Sequence, residues 1–522
     1  MPPVGLDFIE EAQLRGDTIS KRQGEGKNTQ QIVGPMLEDL IRSALYDEGD
    51  LSVNVTIKGA KKKQMPIISG HLWGGSVDDR STGPALSDVM IIGKQLGEAE
   101  LIHHRCLVGP TGELLENTLL DLGATTDMID SWYVTNVLKT GNPEGGDSWR
   151  EVWVKNFVHL LHQELRLVRP KYILCMGADA VKALFGKNMT LGKMEGQVVE
   201  FTYEVRRKPS DPPETHTALV MACTHPAAVL RTPEMTDKFE LALRRFIQLT
   251  SGHRWDKAET DLEHYCLFDE KDLERTVEEA LACGENNIIA MDCEWHGDHP
   301  QNEGAYLRTI QFSWAHKKAA AIILRDAGGK PRFKHYKRII KDGKVCRTME
   351  MTTEGAEKTV IRLMNKLLAK NRACGHFFTA DLEWLIPFGL DIRERFEAPD
   401  TWQEAKEKGG LDTALMAHAV DETGDFTLTG QALRYTQAPR YDVPVSVWKE
   451  QYCRENKIKV SQLEGYGECP DEVLYPYACY DADVTRRIAI EHMKNLDKDK
   501  FGNNCWEAFW ISQRAVLAVL EI

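Results

Sequence analysis

A chain of 522 residues exceeds what one hydrophobic core supports, so two or three domains are expected. Hydrophobic content of 42% with 28% charged residues fits a soluble globular protein, and no apolar run is long enough to span a bilayer. A net charge of −14 argues against a protein that coats nucleic acid but not against a nucleic-acid enzyme, whose basic groove can be local. The 12 cysteines are scattered singly, without a Cys-x-x-Cys pair, which fits a reducing compartment. No charged-then-apolar leader follows Met1, so a cytoplasmic location is expected.

Residues 1–65 read as a polar arm, with helical apolar spacing over 36–46 and an alternating strand over 51–57. Residues 66–255 read as one α/β domain. Strands over 88–93, 132–137, 171–177 and 218–223 alternate with helices over 112–122, 154–167 and 178–185. That alternation predicts a doubly wound, mostly parallel sheet, with binding residues at the carboxyl ends of its strands. Asn136 and His225 fall at such ends. The polar stretch 251–260 reads as a linker. Residues 256–498 then form a second α/β domain, and 499–522 an apolar helix that runs to Ile522 without a stop signal, as expected of a piece of something longer. The basic clusters 61–63, 206–208 and 334–344 read as solvated loops, with DNA contacts the alternative.

The second domain carries the chemistry. The apolar run Ile288-Ile289-Ala290-Met291 leads into Asp292-Cys293-Glu294. On a strand, side chains two apart share a face, so two hard oxygen ligands would stand side by side, as Mg²⁺ or Mn²⁺ requires. Residues 306–314 read as the hairpin partner of that strand. Asp381 and Asp481 lie far along the chain, and only a fold can bring all four acids together. Such a set can hold two ions for in-line hydrolysis of a phosphodiester. Tyr477 precedes Asp481 by four residues, so on a helix the two share a face and the phenol can orient water. Asp483, two residues further on, would face away.

This combination resembles the 3′–5′ proofreading exonuclease of family A DNA polymerases, the type with tyrosine in its last motif. The matching pieces are Met291 to Glu294, Gly375 to Asp381, Asp412 to Ala417, Phe426 to Leu428 and Tyr477 to Thr485. The resemblance implies a ribonuclease H-like (DnaQ-like) domain with a mixed sheet. It also implies that Asp292, Glu294, Asp381 and Asp481 bind two Mg²⁺ or Mn²⁺ ions and that Tyr477 positions water. The expected partner is a single-stranded 3′ end of DNA. One departure is Phe377, where the family usually carries asparagine. The tail from Trp506 resembles the first helix beyond the exonuclease. The sequence shows no polymerase palm, so no polymerisation is expected from this chain alone.

Residues 66–255 resemble the uracil-DNA glycosylase superfamily, through Ile91 to Gly93, Val108 to Leu115, Thr135 to Lys139 and Thr224 to Arg231. The resemblance implies a pocket of Gly93, Asn136 and His225, in which Asn136 reads a flipped base edge and His225 stabilises the departing base. Lys94 and Gln95 stand where related enzymes carry the water-handling residue. The cysteines that hold an iron–sulfur cluster in one branch are missing, so no cluster is expected. The domain is expected to serve as a scaffold for DNA or replication proteins; an active uracil-DNA glycosylase is the alternative. The two domains in this order resemble DNA polymerases of large lytic bacteriophages, which implies viral replication in the host bacterial cytoplasm.

Overall fold

The computed structural model describes residues 52–56, 62–66 and most of 68–520, without 75–86, 143–150, 206–213, 254–260 and a few shorter stretches. The helix expected over 36–46 and the basic cluster at 206–208 lie outside the described residues. The chain forms two compact units, Met1–Asp256 and Lys257–Ile522.

The described part of unit 1 starts with a hairpin of β1 (Ser52–Thr56) and β2 (Lys62–Pro66), so the cluster at 61–63 runs into a strand rather than a loop. Its main elements then run β3 (His71–Leu72), β4 (Val89–Gly93), α1 (Pro110–Asp121), β5 (Tyr133–Asn136), α2 (Glu151–Val168), β6 (Tyr172–Met176), α3 (Ala178–Phe185), β7 (Val199–Val205), β8 (Glu214–Cys223), α4 (Pro226–Arg231) and α5 (Thr236–Thr250). The sheet order is β3-β5-β4-β6-β8-β7. Its four central strands are parallel, and β3 and β7 close the edges antiparallel. The all-apolar β4 is explained by burial on both faces. Met90 and Ile92 pack with α2 and α3, while Val89 and Ile91 pack with α1 and α5. The doubly wound expectation therefore holds. The strand expected over 218–223 is longer, because β7 pairs with it back to Glu214.

Unit 2 runs β9 (Glu263–Leu267), α6 (Glu270–Ala282), β10 (Ile288–His296), β11 (Tyr306–Ala315), β12 (Lys318–Ile323), β13 (His335–Lys341), β14 (Lys344–Glu350), α7 (Thr353–Leu368), β15 (Arg372–Gly375), α8 (Thr379–Phe388), β16 (Leu411–Asp412), α9 (Thr413–Val420), α10 (Val443–Asn456), α11 (Asp471–Asp497) and α12 (Trp506–Leu520), with shorter helices between. The sheet order is β16-β15-β10-β11-β12-β9. Strand β11 is antiparallel to both neighbours, and β15 and β16 are parallel to β10. This is the ribonuclease H-like order with β9 added at one edge. The stretch 334–344 is not a loop: it enters β13, which pairs with β14 as a separate two-stranded ribbon. Among the described residues no helix is long and apolar enough to cross a membrane.

The two faces of β10 explain where the acids stand. Ile289, Met291 and Cys293 pack against α6, α7 and α8. Ile288 and Ala290 point the other way, toward α9, α11 and α12. Asp292 and Glu294 continue this second face, where the apolar residues give way to carboxylates beside α11. Helix α12 seals the same core with Trp506 and Phe509.

Candidate active site

Asp292, Glu294 and Asp481 come together, with one carboxylate oxygen from each lying within 4.8 Å of the others. Glu294 and Asp481 are buried and Asp292 partly so. Asp292 accepts a short hydrogen bond from the Gln311 amide, which β11 holds directly opposite. Asp381, in the first turn of α8, stands behind them. Its Oδ1 accepts from the Cys293 backbone N–H at 2.9 Å, tying α8 to β10. Tyr441 donates to Asp481 Oδ1 at 2.8 Å. The Tyr477 hydroxyl, one helical turn before Asp481, also hydrogen-bonds to that carboxylate. Lys449 of α10 donates to the Tyr466 hydroxyl at 2.6 Å and holds a positive charge near Glu294.

Burial first, and mutual repulsion second, raise the pKa values of Asp292, Glu294 and Asp481 well above the carboxylate range. Asp381 is pushed up to about 7, chiefly by burial, against the lowering effect of the Cys293 N–H. Lys449 is the basic side chain that acts to lower Glu294. A buried, under-neutralised group of carboxylate oxygens fits a divalent cation by both charge and donor hardness. Tyr477 is likewise raised well above its usual value by burial and then Asp481, so the phenol keeps its proton.

The Gly375–Asp381 segment is fixed by Asp412, which caps α9. Its carboxylate accepts from the N–H groups of Phe378 at 2.8 Å, Phe377 at 3.2 Å and Ala414 at 2.9 Å. A side chain at Gly375 would collide with the Phe378 ring. Phe377 is 54% exposed and sits at φ +47°, a region bulky residues rarely enter. Replacing Asp412 by alanine removes the cap and several charge-assisted bonds at once. The expected cost is about 2–4 kcal/mol, read by denaturant unfolding, and a loss below about 0.5 kcal/mol would refute the anchoring role. Asp483 turns away from the acids, as its position on the helix requires, and its Oδ2 bonds Arg487 at 2.8 Å and His264 at 3.2 Å.

Gln311, Tyr441, Tyr466 and Lys449 were not singled out by sequence. Gln311 had a signal only once the hairpin is paired: it stands directly opposite Asp292. The other three sit in loops or on a helix whose pattern says nothing of the acids.

In unit 1, Asn136 and Gly93 are register partners on β5 and β4. A side chain at position 93 would meet the Asn136 Oδ1 at 2.3 Å, so the glycine is required there. Asn136 is buried and bonds the Cys106 thiol. His225 caps α4, its Nδ1 accepting from the Ala227 N–H at 3.1 Å. Three strand steps separate β5 from β8 in the sheet, roughly 14 Å. Lys94 pairs with Asp179 at 3.1 Å.

The family model of the uracil DNA glycosylase superfamily matches residues 80–248. A type-4 uracil-DNA glycosylase of Pyrobaculum aerophilum is 30% identical over 159 residues, 30% of this chain and 76% of that protein. The corresponding protein of Archaeoglobus fulgidus is 29% identical over 171 residues, 32% of this chain and 79% of its own length. A DNA polymerase of Escherichia phage T5 is 31% identical over 96 residues, 18% of this chain, and this match spans only 11% of the phage protein. Among solved structures, ribonuclease D of Trypanosoma brucei covers 49% of this chain and 63% of its own at 14% identity, but its TM-score of 0.30 is too low to carry weight. Sequence identity across three quarters of a glycosylase, and a parallel sheet with Asn136 and His225 at its strand ends, lead to one assignment: through residues 80–248 the chain belongs to the uracil-DNA glycosylase superfamily.

Proposed function

We propose that unit 2 is a 3′–5′ DNA exonuclease that removes mispaired nucleotides during viral replication, and that unit 1 is a scaffold for DNA or a replication protein. The observation that carries the first part is the convergence of Asp292, Glu294 and Asp481, with Asp381 behind them, at the carboxyl end of β10. These four would hold Mg²⁺ or Mn²⁺. Bound there, divalent cations neutralise phosphodiester charge and make water nucleophilic near neutral pH. The chain's own contribution is placement. Gln311 holds Asp292, Tyr441 holds Asp481, and Asp412 holds the turn that carries Asp381. Tyr477 offers a protonated hydroxyl beside Asp481, suited to orienting a water rather than to taking its proton.

The scaffold reading of unit 1 rests on Lys94 and Asn136. Lys94 is engaged with Asp179, and Asn136 is buried and bonded to Cys106. Alkali-labile sites formed in a uracil-bearing oligonucleotide would overturn it.

Single-stranded DNA labelled at its 3′ end tests the exonuclease. Release of labelled mononucleotide with Mg²⁺, abolished by chelation, is the expected result; internal cuts or no cleavage would reject it. Tyr477→Phe is expected to lower kcat about 10- to 100-fold with little change in KM, an effect of about 1.4–2.7 kcal/mol on the barrier.

A further inference from the structure

We propose that the β13–β14 ribbon is an arm that grips the sugar–phosphate backbone of the DNA whose 3′ end enters the carboxylate site. This rests on the exonuclease reading of unit 2. The pairing register puts Tyr336 opposite Met349, Arg338 opposite Arg347, and Ile340 opposite Val345. The pleat places all six on one face. Arg338 and Arg347 are thus held side by side, an arrangement that costs free energy when nothing intervenes. Among the described residues no carboxylate pairs with either of them, and the Arg347 guanidinium lies 5.6 Å from the Tyr336 ring. Lys337, on the opposite face, is neutralised by Glu350 at 2.7 Å. One face is balanced and the other lacks an anion.

The same face is open. Ile340 is 79% exposed and Val345 71%. Across the two strands Lys337, Arg338, Lys341, Lys344 and Arg347 stand against a single acid, Glu350, in a chain of net charge −14. Two guanidinia in the middle of an apolar face do not suit a dry protein interface, whose core is depleted of charge. They suit adjacent phosphates, with the aliphatic tip against sugars and base edges.

Placement agrees. Ile323 at the end of β12 is in register with Thr309, and Thr309 with Glu294. The ribbon therefore starts at the same end of the sheet as the acids, on the α6 and α7 side. Its base is fixed: the Tyr336 N–H donates to Glu270 at 2.7 Å, and His335 bonds Thr352 at 2.8 Å. Seven residues per strand reach roughly 23 Å, or about seven nucleotides of stacked strand.

The test uses the full chain with Arg338→Glu and Arg347→Glu, and in parallel Arg338→Gln with Arg347→Gln in case charge reversal disturbs folding. Binding of a fluorescent DNA strand longer than the arm's reach is followed by anisotropy in EDTA, where no hydrolysis interferes. The expected result is at least about tenfold weaker binding, with the slope of log K against log salt reduced by about 1.4–1.8 for two lost phosphate contacts. With Mg²⁺, digestion of that strand slows while digestion of a dinucleotide does not. Wild-type affinity and salt slope in the folded glutamine variant would overturn the arm. A wild-type chain that binds the strand through these arginines but releases no nucleotide would reject the exonuclease and leave the arm standing.

Discussion

Asp292→Ala is expected to reduce 3′-end hydrolysis by about 10³-fold or more, an effect of about 4 kcal/mol on the barrier, and Asp481→Ala by a similar factor. Glu294→Ala combined with Asp292→Ala should leave no measurable release of labelled nucleotide. Undiminished digestion by the double variant would sink the assignment of this site. The same residues have an opposite effect on stability without metal. Burial and their neighbours raise these carboxyls in the folded state, Asp381 to about 7. An unfolded aspartate titrates near roughly 4. Between those values the folded protein binds more protons than the unfolded chain, so stability is fully present below about pH 4 and falls as pH rises toward 7. Metal-free Asp292→Asn should therefore melt a few degrees higher than wild type at pH 8 and show little difference at pH 4. Mg²⁺ should reverse the order, because it binds the deprotonated wild-type group. Calorimetry at the two pH values, with and without Mg²⁺, decides this independently of activity; a metal-free variant no more stable than wild type at pH 8 would refute the repulsion.

The second large effect lies in unit 1. Lys139 and Glu164 are almost fully buried and form a tight ion pair. Thr135 donates to Glu164 at 2.8 Å, and the Gly70 N–H donates to its other oxygen at 2.9 Å. Glu164→Ala strips three donors of their acceptor and strands an ammonium in the core. The expected cost is about 3–5 kcal/mol. Replacing both partners, as Lys139→Met with Glu164→Leu, removes the charge instead of orphaning it and should recover most of that loss. Denaturant unfolding of unit 1 distinguishes the two. A single variant within about 1 kcal/mol of wild type would show that water already reaches Lys139. Hydrolysis of 3′ ends should be unaffected by either change.

Much of this protein could be read along the chain. The period-2 placement of Asp292 and Glu294 at the end of an apolar run survives intact in β10, because a strand's alternation is a local property of the backbone. The same reasoning set Asp483 aside on α11, where it pairs with Arg487. Asp381 and Asp481 could be matched only through motifs resembling a known family, since nothing local joins residues so far apart. The basic stretch 334–344 read as a loop because its apolar residues alternate against no core; Ile339 and Ile340 belong to a ribbon with one open face.

What the sequence alone determined is the central strands of unit 1, β10 with its hairpin partner, and the two acids whose spacing is shorter than a strand. Periodicity is written residue by residue, and it put Asp292 and Glu294 on one face of their strand before any partner was known. Only the tertiary structure decided which groups support the acids. Gln311 reaches Asp292 across a hairpin, Tyr441 reaches Asp481 from a loop, and Lys449 approaches Glu294 from a separate helix. The raised pKa values were decided there too, because desolvation and repulsion depend on how close burial brings charges that the chain keeps far apart.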